Sequence, residues 1–125
     1  MRLVYVAILV LAFVGSAAAQ HSHGSQRGPN GGLVQDVAGV HLELISSGNV
    51  VTVYVLDESN KPVSAQGMTA NALVDSGAER ETLTLKVEGE NRLKGETKKP
   101  IAGNSSISLT VKTPAGKTGQ AKFTN

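Results

Sequence analysis

The sequence predicts an all-β protein, an antiparallel β-sandwich of immunoglobulin-like type with seven or eight short strands. Runs of aliphatic and β-branched residues alternate with polar residues in steps of two, which is the period of a strand with one buried face. Glycine-containing turns separate these runs at roughly 8–12-residue intervals, and no window has the period of a long amphipathic helix. The predicted domain, residues 31–125, matches the roughly 100 residues of that architecture.

The N-terminus has the composition of a secretory signal peptide over residues 1–19. Arg2 supplies a positive charge, Leu3 to Val14 form an apolar run, and Gly15 to Ala19 are small. Ala17-Ala18-Ala19 fit an A-x-A-like cleavage site, so we expect cleavage before Gln20. The apolar run is shorter than the roughly 20 residues that span a bilayer, so we expect no membrane anchor after processing. The predicted location of the mature protein is the periplasm, or the medium if it is secreted.

Composition excludes several functional classes. The formal net charge of +2 includes Arg2 of the signal peptide, so the mature chain is close to neutral and nucleic acid is not an expected partner. Only Tyr54 and Phe123 remain as aromatic residues after cleavage, too few for a stacking surface. The sequence has no cysteine, no Gly-x-Ser-x-Gly motif and no evident nucleophile with a base, so we expect no enzyme activity.

The first elements follow a polar segment, Gln20 to Asn30, which we predict to be a flexible lead-in containing histidines. Pro29 to Gly32 have the order of a tight turn, and Leu33 to Val37 form the first predicted strand. Next comes a hairpin, in which the alternating residues 40–45 and the apolar residues 50–56 flank a turn at 46–49. A two-residue loop, at 47–48 or 48–49, places one set of side chains on the face opposite Leu42 and Leu44: His41, Glu43, Thr52 and Tyr54.

Two further hairpins complete the predicted sandwich. Residues 69–74 and 81–87 alternate around a turn at 75–78, and residues 106–112 and 117–124 do so around a turn at 113–116. Between them, Asn91 and Arg92 are predicted to form a turn. The charged residues Lys94, Glu96, Lys98 and Lys99 before Pro100 are predicted to form a solvated loop or a sheet edge.

His41 and Glu43 are the candidate metal ligands inside the predicted sheet. Residues two apart on a strand lie on the same face, about 6.5–7 Å apart. An imidazole and a carboxylate at that separation suit Zn(II), Cu(II) or Ni(II) if a third ligand is added, and His21 or His23 of the lead-in provides one. The alternatives are an ordinary solvent-facing polar pair at His41 and Glu43, and a polar N-terminus without a ligand role.

The position of signal-peptide cleavage determines whether the mature N-terminus can itself bind a metal. Cleavage after Ala18 leaves Ala19-Gln20-His21 as the terminus, and an amine with histidine in third place is a square-planar chelate for Cu(II) or Ni(II). Cleavage after Ala19 places histidine second and lets Gln20 cyclise, which removes the amine.

Several segments resemble small exported bacterial β-proteins of unassigned function. The segments are Arg27 to Gly32, Val40 to Leu44, and Val53 to Asp57 with the following Lys61-Pro62-Val63. They are similar, more faintly, to the N-terminal periplasmic segment of heavy-metal efflux adaptor (membrane fusion) subunits. The resemblance implies a periplasmic β-domain associated with metal handling, in which His41 and Glu43 match the strand pair. The histidine that often precedes the glycine pair is Asn30 here.

Two functions are therefore expected. The first is a periplasmic, non-catalytic module that binds Cu(II), Zn(II) or Ni(II) through His41, Glu43, His21 and His23. The second is an envelope interaction or structural protein, which holds a protein partner through a sheet edge or through the face around Tyr54.

Overall fold

The computed structural model describes residues 26–124, and this part of the chain is entirely β-structure and loops. Within it, no helix is long and apolar enough to cross a membrane. The predicted signal peptide, its cleavage site, His21 and His23 lie outside the described residues. The strands are β1 (Gln26–Arg27), β2 (Leu33–Val37), β3 (Val40–Ser47), β4 (Val50–Leu56), β5 (Thr69–Asp75), β6 (Arg80–Glu88), β7 (Arg92–Glu96), β8 (Ser106–Lys112) and β9 (Thr118–Thr124).

The strands form one antiparallel sheet in the order β1-β2-β3-β4-β7-β6-β5-β8-β9, which curls into a half-barrel. Strand β6 continues the sheet between its two halves, because residues 80–85 pair with β5 whereas residues 86–88 pair with β7. The all-β, antiparallel class is as predicted. The described residues form nine strands, where the sequence predicted seven or eight, because β1 and β7 were not expected.

The core lies on one face of this curled sheet and is almost wholly aliphatic. Alternation along each strand directs every second side chain inward, and full burial of a valine, leucine or isoleucine contributes about 1.5–3 kcal/mol. The residues with at most 1% exposure include Leu42, Val51, Val53, Val55, Leu93, Ile107, Leu109 and Val111. Phe123 is the aromatic member of the core and is 2% exposed.

Strands β2 and β9 approach each other at the open side of the half-barrel. The Gln35 side-chain amide donates a hydrogen bond to the Lys122 carbonyl. A Cβ atom at Gly119 would lie 2.9 Å from Val37 Cγ1 and 3.0 Å from the Ala38 nitrogen, so the close approach requires glycine there. Contact between these strands partly covers edges that would otherwise be open to pairing with another chain.

The three predicted hairpins are confirmed. In the first, Leu42 pairs with Val55 and Leu44 with Val53, so the loop is the two-residue Gly48-Asn49 alternative. Gly48 has a φ of 60° and Asn49 a negative φ, which is the pattern of a type II′ turn with glycine at its first central position. The hairpins β5–β6 and β8–β9 form within one or two residues of the predicted bounds.

The structure corrects the prediction for the segment around Lys94 and Glu96. Arg92 to Glu96, predicted as a turn and a solvated loop or sheet edge, form the inner strand β7 between β4 and β6. Leu93 of this strand is fully buried. Gly95 is also needed, because a Cβ atom there would lie 2.6 Å from Leu85 Cδ2. Hydrogen bonding on both sides, rather than an apolar run, therefore holds β7 in the sheet.

Candidate functional site

The β2–β3 hairpin brings Asp36 opposite His41 on the outer face of the sheet. Its two-residue turn, Ala38-Gly39, has φ values of 51° and 86°, which suit a type I′ turn. Asp36 and His41 are cross-strand partners, and Asp36 Oδ1 lies 2.6 Å from His41 Nε2. The His41 side chain is 17% exposed and that of Asp36 is 80% exposed, so this contact is open to solvent from the carboxylate side.

Asn60 contacts the other nitrogen of the His41 ring. Asn60 Oδ1 lies 3.2 Å from His41 Nδ1. Asn60 has a φ of 60°, a left-handed conformation that asparagine tolerates better than most residues. Asp57 fixes this turn, because its Oδ1 accepts hydrogen bonds from the backbone amides of Ser59 at 2.8 Å and Lys61 at 2.9 Å.

These contacts define what the His41 ring can do. The imidazolium form donates two hydrogen bonds, to Asp36 and to Asn60. The neutral ring donates from Nε2 to the Asp36 carboxylate at 2.6 Å; when its proton is on Nδ1 instead, it donates to Asn60 and presents the Nε2 lone pair beside that carboxylate. A nitrogen lone pair next to a solvent-exposed carboxylate is an arrangement that binds divalent transition metals.

Glu43 lies on the same strand but has different surroundings. Its carboxylate is fully buried beneath the turn formed by residues 28–32. Glu43 Oε2 accepts hydrogen bonds from the backbone amides of Asn30 at 2.9 Å and Gly32 at 2.8 Å, and Oε1 accepts one from Asn30 Nδ2 at 3.0 Å. A Cβ atom at Gly28 would lie 2.4 Å from Glu43 Cδ. The turn therefore encloses the charge with N–H donors.

Both sequence-predicted strand residues occupy the outer face, opposite Leu42 and Leu44, as the alternation predicted. Glu43 pairs across the sheet with Tyr54, and His41 with Leu56. Their polar groups nevertheless contact different partners: His41 contacts Asp36 and Asn60, whereas Glu43 contacts the 28–32 turn. Within residues 26–124, no three histidine or acidic side chains are grouped so that they could hold a metal ion.

Comparison of the chain with known proteins identifies no relative. No protein-family model, curated protein or solved structure matches the chain. The resemblance to efflux adaptor segments remains a prediction. The functional proposal is therefore based on the chemistry of the described residues.

Asp36 and Asn60 are the site residues that the sequence analysis missed. A signal for Asp36 was present, because Val37-Ala38-Gly39-Val40 is compatible with a two-residue hairpin turn. Such a turn places Asp36 directly opposite His41. No comparable signal existed for Asn60, which lies nineteen positions from His41 in the loop after β4.

Proposed function

We propose that the mature chain is an exported, non-catalytic β-domain that binds one divalent transition metal at the β2–β3 hairpin. His41 Nε2 and the Asp36 carboxylate are the two ligands from the sheet, and His21 or His23 supplies a third. The observation that supports this most directly is the 2.6 Å contact between Asp36 Oδ1 and His41 Nε2, with Asn60 on the opposite ring nitrogen.

The Asn60 contact has the arrangement of an outer-shell partner. A metal-bound histidine normally donates its other N–H to an oxygen, which fixes the ring orientation and raises the basicity of the ligand. Asn60 Oδ1 is in place to accept that hydrogen bond from Nδ1. A zinc ion at about 2.0–2.2 Å from each ligand atom separates them by roughly 3.4 Å in tetrahedral geometry. Rotation of the exposed Asp36 side chain can provide this small increase.

The direction of β1 makes the third ligand accessible. Gln26 pairs with Val34 and Arg27 with Leu33, so the N-terminal end of β1 is the end nearer to Asp36. Asp36 is two residues beyond Val34, which is about 7 Å along the strand. His23 precedes Gln26 by three residues, and an extended chain of that length spans roughly 10 Å. The distance is therefore within the covalent reach of His23.

The test is calorimetric titration of the mature protein with Zn(II), Cu(II) and Ni(II) at neutral pH. We expect binding of one metal per chain that is weakened by His41→Ala, by Asp36→Asn and by the double variant His21→Ala/His23→Ala. The matched control is Glu58→Gln, which removes a nearby exposed acid outside the proposed site. Equal binding by the wild type and the His41 and Asp36 variants would eliminate the sheet site.

The terminus produced by processing is tested separately. Mass spectrometry of protein exported from the native host identifies the first residue, for which we expect Gln20. If Ala19 is first and Cu(II) affinity survives His41→Ala, then the metal binds at the N-terminal chelate of Ala19, Gln20 and His21 instead.

Binding of a protein partner is the second candidate function. Tyr54 is half-buried on the outer face, in the cross-strand row between Glu43 and Arg92. A partly exposed aromatic residue suits an interface. The face is a better candidate than the sheet edges, because β2 and β9 contact each other. Capture of an envelope protein that is lost on Tyr54→Ala and retained on Thr52→Ala would favour this function.

A further inference from the structure

A cleft of about 480 Å³ lies at the end of the half-barrel remote from the β2–β3 hairpin turn. The β5–β6 turn forms one wall and the loop from Thr97 to Ser105 forms the other. A backbone hydrogen bond shows which end of the sheet this is. Thr97, which follows β7, donates its amide to the Asn49 carbonyl of the β3–β4 turn, and that turn lies at the end of β3 opposite the β2–β3 turn. The lining comprises Val74, Ser76, Glu79, Arg80, Glu81, Thr97, Lys98, Lys99, Pro100, Ile101, Ala102 and Ser105.

Ser105 gives this cleft a buried polar group that the described residues do not satisfy. It is 1% exposed, and its hydroxyl has no hydrogen-bond partner within residues 26–124. Buried hydroxyl groups in native proteins nearly always have a partner, so an exception calls for an explanation. Val74 and Ile101 line the same cleft with apolar surface.

Two of the three cations that line the cleft form ion pairs with acidic residues. Lys99 Nζ lies 2.8 Å from Glu79 Oε1, and this hydrogen bond and charge raise the pKa of Lys99 above its ordinary value. Arg80 Nε lies 3.1 Å from Asp75 Oδ2.

The second acid that lines the cleft, Glu81, accepts a hydrogen bond from the backbone amide of Lys98 at 2.9 Å. The Lys98 ammonium itself forms no ion pair with any described residue. The cleft therefore offers one uncommitted cation together with one uncommitted hydroxyl.

We propose that the cleft binds a small organic acid, with its carboxylate at Lys98, a second oxygen at Ser105 and an apolar body against Val74 and Ile101. The volume is within the roughly 300–1,000 Å³ of small-molecule sites, which combine apolar walls with a few polar groups. The Ser105 hydroxyl is covered in the free protein, so the ligand has to displace the side chains over it before this hydroxyl can donate a hydrogen bond to the second oxygen of the ligand. This site is independent of the proposed metal site.

The experiment uses 4-hydroxybenzoate as the probe and two analogues that each lack one group. Benzoate lacks the second oxygen, and 4-hydroxybenzyl alcohol lacks the negative charge. Backbone amide NMR of the full mature protein follows each titration at millimolar concentration. We expect shifts confined to residues 74–81 and 97–105, with 4-hydroxybenzoate binding about 5-fold more tightly than benzoate, which is the usual effect of a hydrogen bond. 4-Hydroxybenzoate should bind about 3-fold more tightly than 4-hydroxybenzyl alcohol, and this difference in affinity should decrease as the salt concentration rises.

Two variants assign these advantages to the proposed residues. Ser105→Ala should remove the preference for 4-hydroxybenzoate over benzoate, and Lys98→Gln the preference over the alcohol. The control Lys94→Gln, on β7 outside the cleft, should change neither. Ser105→Ala should also leave the thermal midpoint of the free protein unchanged or higher, because the hydroxyl has no hydrogen-bond partner to lose among the described residues. The absence of shifts at the cleft, or unchanged preferences in both variants, would overturn the proposal.

Discussion

The buried Glu43 carboxylate accepts a 2.8 Å hydrogen bond from the backbone amide of Gly32. Asn30 adds a backbone and a side-chain donor to the same carboxylate. A buried charge is tolerated when it is fully hydrogen-bonded, and bonds to a charged acceptor are stronger than neutral ones. Glu43 thereby ties strand β3 to the turn that connects β1 with β2. We infer that Glu43 positions β1, which follows His21 and His23 in the sequence.

Replacement of Glu43 by glutamine should destabilise the fold without removing a metal ligand. Glutamine has one carboxamide oxygen for the donors of Asn30 and Gly32, and its NH₂ group faces an N–H, so we expect a loss of about 2–3 kcal/mol in the free energy of unfolding. Urea denaturation measures this loss. Glu96→Gln, at an exposed position in β7, is the control and should change stability by less than about 0.5 kcal/mol.

The same variant separates the two candidate carboxylates of the metal site. Under conditions in which Glu43→Gln is folded, its affinity for Zn(II) should equal that of the wild type, whereas Asp36→Asn should bind more weakly. The reverse order of affinities would restore the pair His41 and Glu43 as the ligands.

Two glycines of the 28–32 turn should respond differently to alanine. A Cβ atom at Gly28 would lie 2.4 Å from the Glu43 carboxylate carbon, so Gly28→Ala displaces a buried hydrogen-bonded group and should cost about 3 kcal/mol. Gly31 has a φ of 82° with no atom near its Cβ position, so Gly31→Ala should cost only the backbone strain, about 1–2 kcal/mol. Urea denaturation of both variants gives the comparison, and equal losses would show that the Gly28 contact is relieved by movement.

The sequence predicted what depends on local alternation and could not predict what depends on a distant segment. The alternation of residues 40–45 predicted both the hairpin β3–β4 and the outward direction of Glu43. Burial of Glu43 depends on a turn more than ten residues away that covers it, and hydrophobic period carries no information about that cover. The His41 partners divide in the same way. Asp36 follows from a local turn, whereas Asn60 comes from a loop beyond the next strand.

Strand β7 also depends on distant segments that its local sequence pattern does not reveal. Arg92 to Glu96 contain one apolar side chain, so the pattern suggested a loop, yet Leu93 is fully buried between β4 and β6. Leu93→Ala should lower the free energy of unfolding by about 3 kcal/mol, because it leaves a cavity in the core. Lys94→Ala, one residue along on the outer face, should change it by less than about 0.5 kcal/mol. Similar small effects of both variants would contradict the inner position of β7.

Asn60 is expected to act on metal affinity through the His41 ring. Asn60→Gly removes the oxygen that faces His41 Nδ1, and glycine readily adopts the φ of 60° at this position, so the turn should persist. Because loss of an outer-shell partner typically lowers metal affinity by about 10–100-fold, we expect roughly 10-fold weaker Zn(II) binding in calorimetry. Asn60→Asp keeps an oxygen acceptor and should restore most of the affinity.

Nitrogen NMR of the His41 ring provides a readout that a purely structural role of Asn60 would not change. In the metal-free wild type, the neutral ring should carry its proton on Nε2, because the Asp36 carboxylate at 2.6 Å is a stronger hydrogen-bond acceptor than the amide oxygen of Asn60 at 3.2 Å. Zn(II) binding at Nε2 should leave the ring protonated on Nδ1, which donates to Asn60 in the wild type and loses this acceptor in Asn60→Gly, so the Nδ1 proton of the variant should exchange faster with water. A wild-type ring that keeps its proton on Nε2 at saturating Zn(II) would remove His41 Nε2 and its partner Asn60 from the proposed metal site.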